Sequence, residues 1–265
     1  MELNLMGTQV NVVLKGEAGR GVLLLHGWGC SAEMMSGIQN ALSGSMRTLA
    51  LDFPGHGAMG HAAPPPETWG VPEYAELCVQ LIRKYDLAPC DLIAHSFGGR
   101  VAIWLAANHP ELVGRMVLTG AAGVPKPASG QLQARQKLYK RLRKAVDLAD
   151  SLRILGDRPA QWKEALIQKY GSPDYRALTS EMRQVFNKVI GLDLTPYLPK
   201  VKASTLLYWG AKDTETPLWM GKVMEEKIPD AGLVVEEGAS HFAFVEHADV
   251  FRTIVRQFLL EGRDA

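Results

Sequence analysis

The chain has 265 residues, with 29 Lys and Arg against 28 Asp and Glu, so its formal net charge is +1. Hydrophobic residues make up 47% and charged residues 22%, which excludes an intrinsically disordered chain and allows a core that needs no disulfide or metal staple. The near-neutral balance gives no whole-chain case for binding nucleic acid or a membrane surface.

Strands are predicted first at Val10–Leu14 and Val22–Leu25, with no helix between them, which implies an antiparallel hairpin at the N-terminus. A helix over Ala32–Leu42 then leads to a strand at Thr48–Leu51, and a helix over Pro72–Tyr85 to a strand at Leu92–Ala94. Next come a helix over Phe97–Asn108 and a strand at Met116–Leu118. After a long interruption the rhythm resumes with strand Thr205–Trp209, helix Leu218–Lys227, strand Leu233–Val235 and helix His247–Leu260. Several runs lack strict alternation, as strands covered on both faces do, so the pattern predicts a mostly parallel sheet with right-handed crossovers.

The interruption, Gly120 to Val201, holds no strand pattern. Leu132, Leu138, Leu142, Ala145, Ala149 and Leu152 recur at near-helical spacing; Trp162, Leu166 and Ile167 follow in a second helix, and Met182, Val185, Phe186 and Val189 in a third. Because the strand–helix pattern resumes afterwards, the segment is expected to be a lid rather than an independent domain. The expected organisation is a core of residues 1–121 and 201–265 with a helical lid over 122–200. Lys137, Lys140, Arg141 and Lys144 form a basic stripe on its first helix, and Lys126 to Arg153 carries eight Lys and Arg against two Asp. Such a stripe is either a solvated helix face or a dock for an acidic substrate or acidic carrier protein.

Four loops carry chemistry. Ala94-His95-Ser96-Phe97-Gly98-Gly99 joins a strand to a helix, and small neighbours around Ser96 suit a sharp turn that exposes its hydroxyl as a nucleophile. A serine N-cap is the plain alternative. Serine needs a base and the base an orienting acid, and Asp213 and His241 both sit in loops that leave strand ends. Glu215 is the rival acid; Asp52 precedes Ser96, out of the order expected for this arrangement. The His26-Gly27-Trp28-Gly29 loop can bring a backbone N–H close to a substrate oxygen, so Trp28 and Phe97 are the expected oxyanion donors. Expected pocket walls are Trp28, Phe97, Phe242, Leu138 and Trp162. The cysteines Cys30, Cys78 and Cys90 form no C-x-x-C pair and fit a reducing compartment, Cys30 reads as a packing residue, and no metal site is predicted. The N-terminus shows no signal-peptide pattern and no apolar run approaches a bilayer span, so a cytoplasmic protein is expected.

Leu25-His26-Gly27-Trp28-Gly29, Asp52-Phe53-Pro54-Gly55-His56-Gly57, His95-Ser96-Phe97-Gly98-Gly99, Trp209-Gly210-Ala211-Lys212-Asp213-Thr214-Glu215-Thr216-Pro217 and Gly238-Ala239-Ser240-His241-Phe242 together resemble the α/β-hydrolase superfamily, in its order and over nearly all the chain outside the lid. The resemblance implies an eight-stranded, mostly parallel sheet with helices on both faces and an inserted helical lid. It also implies Ser96, Asp213 and His241 as a catalytic triad and no cofactor. Ala94 stands where the family's elbow has its first glycine. The set looks most like the small cytoplasmic branch of serine carboxylesterases, carrier-protein methyl ester esterases and carbon–carbon hydrolases. A serine at position 96 argues against the branches that use an aspartate nucleophile. The expected activity is hydrolysis of a small or medium carboxylic ester through an acyl-enzyme. The alternatives are a carbon–carbon hydrolase or lyase acting on an acidic diketone, and, more remotely, a non-catalytic ligand-binding protein of the same fold.

Overall fold

The computed structural model describes residues 1–57, 63–127, 130–151, 158–171 and 173–260. An N-terminal hairpin is present, formed by β1 (Glu2–Leu5) and β2 (Thr8–Lys15) around a two-residue turn, Met6 and Gly7, both at positive φ (52° and 74°). That is the turn geometry whose twist matches paired strands. The chain continues through β3 (Gly21–Leu25), α1 (Ser36–Leu42), β4 (Arg47–Leu51), α2 (Val71–Lys84), β5 (Cys90–His95), α3 (Phe97–Asn108) and β6 (Val113–Thr119). Four helices follow, α4 (Gly130–Ser151), α5 (Arg158–Tyr170), α6 (Pro173–Ala177) and α7 (Ser180–Gly191). The last elements are β7 (Ser204–Gly210), α8 (Leu218–Lys227), β8 (Ala231–Glu236), α9 (Ala243–Glu246) and α10 (Ala248–Leu260).

The eight strands form one sheet in the order β1-β2-β4-β3-β5-β6-β7-β8. β2 runs antiparallel to both β1 and β4, and every other pair is parallel. β4 therefore lies between the first two strands read from the sequence, and the hairpin partner of β2 is the short, half-exposed β1. Every residue of β3 and β5 is buried, which explains their continuous apolar runs. One sheet face packs Val22, Leu24, Ile93, Val117 and Tyr208 against Ile38 and Leu42 of α1 and Phe251, Val255 and Leu259 of α10. No buried residue of α2, α3 or α8 belongs to that cluster; these helices cover the opposite face. The start of α2 is set locally: Glu73 Oε2 accepts from the Gly70 N–H at 2.7 Å, and Pro72 fits the first turn.

The chain divides into two units, Met1–Val124 with Val185–Ala265, and Pro125–Gln184. In the second, α4 packs on α5, with the Tyr139 and Tyr170 rings 5.9 Å apart. Lys163 bridges Asp147 (3.0 Å) and Asp150 (2.6 Å), and Arg183 pairs with Glu164 at 2.8 Å. Lys140, Arg141 and Lys144 are exposed, and none forms an ion pair among the described residues. The side chains of Leu132 and Lys137 lie outside the described residues, as do Leu152 and Arg153. No described helix is long and apolar enough to cross a membrane.

Candidate active site

Parallel strands send their connecting loops to one edge of the sheet, where open α/β folds build their sites. The loops after β3, β4, β5, β6, β7 and β8 meet there, and their residues touch. Ser96 joins β5 to α3 with φ 49° and ψ −108°, a left-handed conformation that costs a non-glycine residue on the order of 1–3 kcal/mol. It is held by its own N–H donating to Thr119 O (3.3 Å) and its carbonyl accepting from Gly99 N (3.0 Å) and Ala122 N (3.0 Å). A Cβ on Gly98 would come within 2.4 Å of Leu25 O, so only glycine lets the helix approach β3 this closely. Ala94, wholly buried in β5, leaves this strained turn intact.

Asp213 and His241 are brought together from the loops after β7 and β8. His241 Nδ1–H donates to Asp213 Oδ2 at 2.8 Å. Asp213 Oδ1 accepts from the N–H groups of Glu215 (2.9 Å) and Thr216 (2.8 Å), and Oδ2 also lies 2.8 Å from Thr216 Oγ1. Burial alone would raise the Asp213 carboxyl, but the His241 and Thr216 donors outweigh it and hold the group below its usual range. Nδ1 being the donor, the Nε2 of neutral His241 is left with its lone pair. Glu215 is exposed, and Asp52 is occupied elsewhere, accepting from Ala32 N (2.6 Å) and Asn11 Nδ2 (2.9 Å). The His95 ring, next in chain to Ser96, lies 4.7 Å from that of His241.

Three further histidines line this edge, all buried and neutral. Phe53 N–H donates to His26 Nε2 (3.0 Å), so His26 Nδ1–H donates to Gly27 O (2.7 Å). His95 Nδ1 meets Thr119 O at 2.9 Å and His56 Nδ1 meets Pro54 O at 3.2 Å. Burial pushes His26 down to about 4, and burial with a neighbouring histidine pushes His56 and His95 down to about 3. Gly98 N–H donates to His26 O (3.1 Å), tying the loop after β3 to the start of α3. Phe97 is the first residue of α3, where a backbone N–H has no partner within the helix. The Trp28 ring stands 5.4 Å from Phe97, 4.4 Å from His56 and 5.0 Å from Phe186.

A model of the alpha/beta hydrolase family matches residues 22–254. The chain belongs to that family. Among curated relatives, it is 28% identical over 265 residues to a pimeloyl-[acyl-carrier protein] methyl ester esterase of Neisseria meningitidis, covering 92% of this chain and 94% of that one. It is 28% identical over 266 residues to a 2-hydroxy-6-oxononadienedioate/2-hydroxy-6-oxononatrienedioate hydrolase of a Pseudomonas species, covering 92% and 90%. The fold is shared with the crystal structure of the enol-lactonase from Burkholderia xenovorans, at 23% identity and TM-score 0.73 over 98% of this chain and 100% of that one.

Of the residues expected at this hydrolase site, Trp28, Phe97 and Phe242 lie at the sheet edge, Phe242 with its ring 5.4 Å from His241. Leu138 and Trp162 belong to the second unit, 48% and 43% exposed; Trp162 lines an apolar groove of about 380 Å³ with Leu142, Ala145, Val146, Ala165 and Leu166. Arg100 is buried and donates to the carbonyls of Val189 (3.3 Å) and Leu192 (3.0 Å), so it ties α3 to the end of α7. Cys30 is half-buried and burial raises its thiol. The sequence alone does not assign three neighbours to this edge: His56, Phe186 and Thr216. His56 stands inside the quoted Asp-Phe-Pro-Gly-His-Gly motif, but nothing there indicates contact with Trp28. Among the described residues no cluster of metal ligands is present.

Proposed function

We propose that this hydrolase cleaves a carboxylic ester by acyl transfer from Ser96 to water. The reading rests on the 2.8 Å bond from His241 Nδ1 to buried Asp213, at the same sheet edge as a serine held at φ 49° at a strand-to-helix turn. His241 Nε2 takes the Ser96 proton as the hydroxyl oxygen attacks the ester carbonyl. The carbonyl oxygen becomes an oxyanion against the N–H groups of Trp28 and Phe97. His241 then protonates the leaving alcohol, the acyl group stays on Ser96, and a water activated in the same way releases the acid. Asp213 holds the imidazole and balances its positive charge. No cofactor takes part in these steps.

Trp28, Phe97 and Phe242 supply apolar contacts for a small or medium acyl group, and the helical insertion between β6 and β7 tunes the choice of substrate. The relative from Neisseria supports a finer reading, a methyl ester carried on an acyl carrier protein, and we take that carrier to be acidic. The exposed Lys140, Arg141 and Lys144 suit such a partner electrostatically. Hydrolysis of p-nitrophenyl esters from acetate to palmitate should be readily measured in the wild type and fall by roughly 10⁴-fold or more in Ser96→Ala. Reversing the charge at all three basic positions should slow a carrier-bound methyl ester at low salt by about tenfold or more and leave p-nitrophenyl butyrate unchanged. Inertness toward every ester in the folded protein would move the assignment to carbon–carbon cleavage of an acidic diketone, a substrate class close to the oxo-dioate named for the Pseudomonas relative.

A further inference from the structure

We propose that the Thr216 hydroxyl positions the Asp213–His241 pair as a rotor, giving its one proton to Asp213 while His241 is neutral and to the Gly120 carbonyl while His241 is charged; this rests on the triad assignment above. Thr216 Oγ1 is buried 2.8 Å from Asp213 Oδ2, 2.9 Å from Gly120 O and 3.2 Å from His241 Nδ1. A hydroxyl has one proton and two lone pairs, so it cannot donate to both oxygens at once. A carboxylate is the stronger acceptor of the two, and the resting proton goes to Oδ2. Asp213 then receives four donors: the N–H groups of Glu215 and Thr216, the Thr216 O–H and the His241 Nδ1–H.

Transfer of the Ser96 proton to His241 creates an imidazolium whose Nδ1–H needs the full charge of Oδ2. A turn about the Thr216 Cβ–Oγ1 bond withdraws the competing donor, passes it to Gly120 O and leaves a lone pair of Oγ1 facing Nδ1–H. The proton never leaves Thr216, so nothing is consumed. The surroundings keep the oxygen in place: Trp209 Nε1 donates to Thr216 O at 2.6 Å, and the Thr216 N–H to Asp213 Oδ1 at 2.8 Å. Gly120 takes φ +50°, and a Cβ there would lie 3.1 Å from His241 Nδ1 and 3.2 Å from Asp213 Oδ2, crowding the space in which the rotor works. Valine has nearly the shape of threonine and would fill the same volume, so packing alone does not require an oxygen here.

The test compares Thr216→Val and Thr216→Ser with wild type on p-nitrophenyl butyrate across pH. Thr216→Val should lower kcat by about 10–100-fold with KM little changed, the scale of a misplaced acid–base group. It should also move the acid limb of the profile to higher pH by about half a unit or more, because the variant has no hydroxyl-to-carboxylate bond to give up when His241 takes the proton. Thr216→Ser should restore both. If Thr216→Val does not fold, Thr216→Ala removes the same hydroxyl without bulk and must show the same displacement. Wild-type kcat and pH limb in the folded Val or Ala variant, with Ser96→Ala inactive, would overturn the rotor alone. A Ser variant as impaired as the Val variant would overturn it too, pointing to the methyl group. Full activity in Ser96→Ala would instead remove the triad assignment.

Discussion

Individual residues at the sheet edge leave little room for exchange. A Cβ at position 98 meets a backbone carbonyl at 2.4 Å, which cannot yield as a side chain would. Gly98→Ala should therefore destabilise the protein by about 2 kcal/mol or more and disable the turn at Ser96, read by urea unfolding beside ester hydrolysis. Asp213→Asn keeps the shape but gives His241 Nδ1 an amide in place of a carboxylate. It should lower kcat by roughly 10⁴-fold while the circular dichroism spectrum stays that of the wild type. The neighbouring aromatic rings around Trp28 have no such single bond to lose, and their effect should appear in acyl-length preference rather than in kcat for every ester.

Among elements, the end of α7 is fastened twice within its unit. Arg100 donates from α3 to two carbonyls at that end, and Lys188 pairs with Glu73 of α2 at 2.8 Å. The two fastenings differ in weight. Arg100 is buried, so Arg100→Met removes charge-assisted bonds and strands two carbonyls, at a cost of about 1.5–3 kcal/mol. Lys188 and Glu73 are 45% and 37% exposed, so Lys188→Ala should cost less than about 1 kcal/mol. Urea midpoints of the two variants measure the contrast. Elements differ in the same way in how plainly the sequence shows them. The buried strands β3 to β7 read as apolar runs because helices cover both their faces. β1 carries only a weak period-2 signal over four residues, half exposed, and is visible only once β2 pairs with it. The 4-residue 3₁₀ turn at Ala32–Met35 also merges with α1 in the sequence, since both share one apolar stripe.

Across the whole molecule, three neutral imidazoles are buried at one sheet edge, and this sets how the protein responds to acid. His26, His56 and His95 take up protons near 6.5 when unfolded but only near 3–4 when folded. The unfolded chain thus binds more protons between those values, and stability is full above about pH 6.5 and falls as the pH drops. The slope should approach about 4 kcal/mol per pH unit for three protons, measured by urea unfolding between pH 7 and pH 5. The site was legible to the extent that local loop chemistry signals it. The loops bearing Ser96, Asp213 and His241 carry glycines and sit after strands, and the resemblance ordered them. Contacts between loops distant in sequence were not legible: Thr216 beside His241 and His56 beside Trp28 depend on strand order, which no single loop encodes. The claim on which the functional account turns is that Ser96 is an activated nucleophile. Mass spectrometry after exposure to a fluorophosphonate tests it most directly. One adduct per chain is expected, on the peptide carrying Ser96 and formed far more slowly in His241→Ala; a folded protein left unmodified, or labelled elsewhere with Ser96 free, would show that Ser96 is not an activated nucleophile.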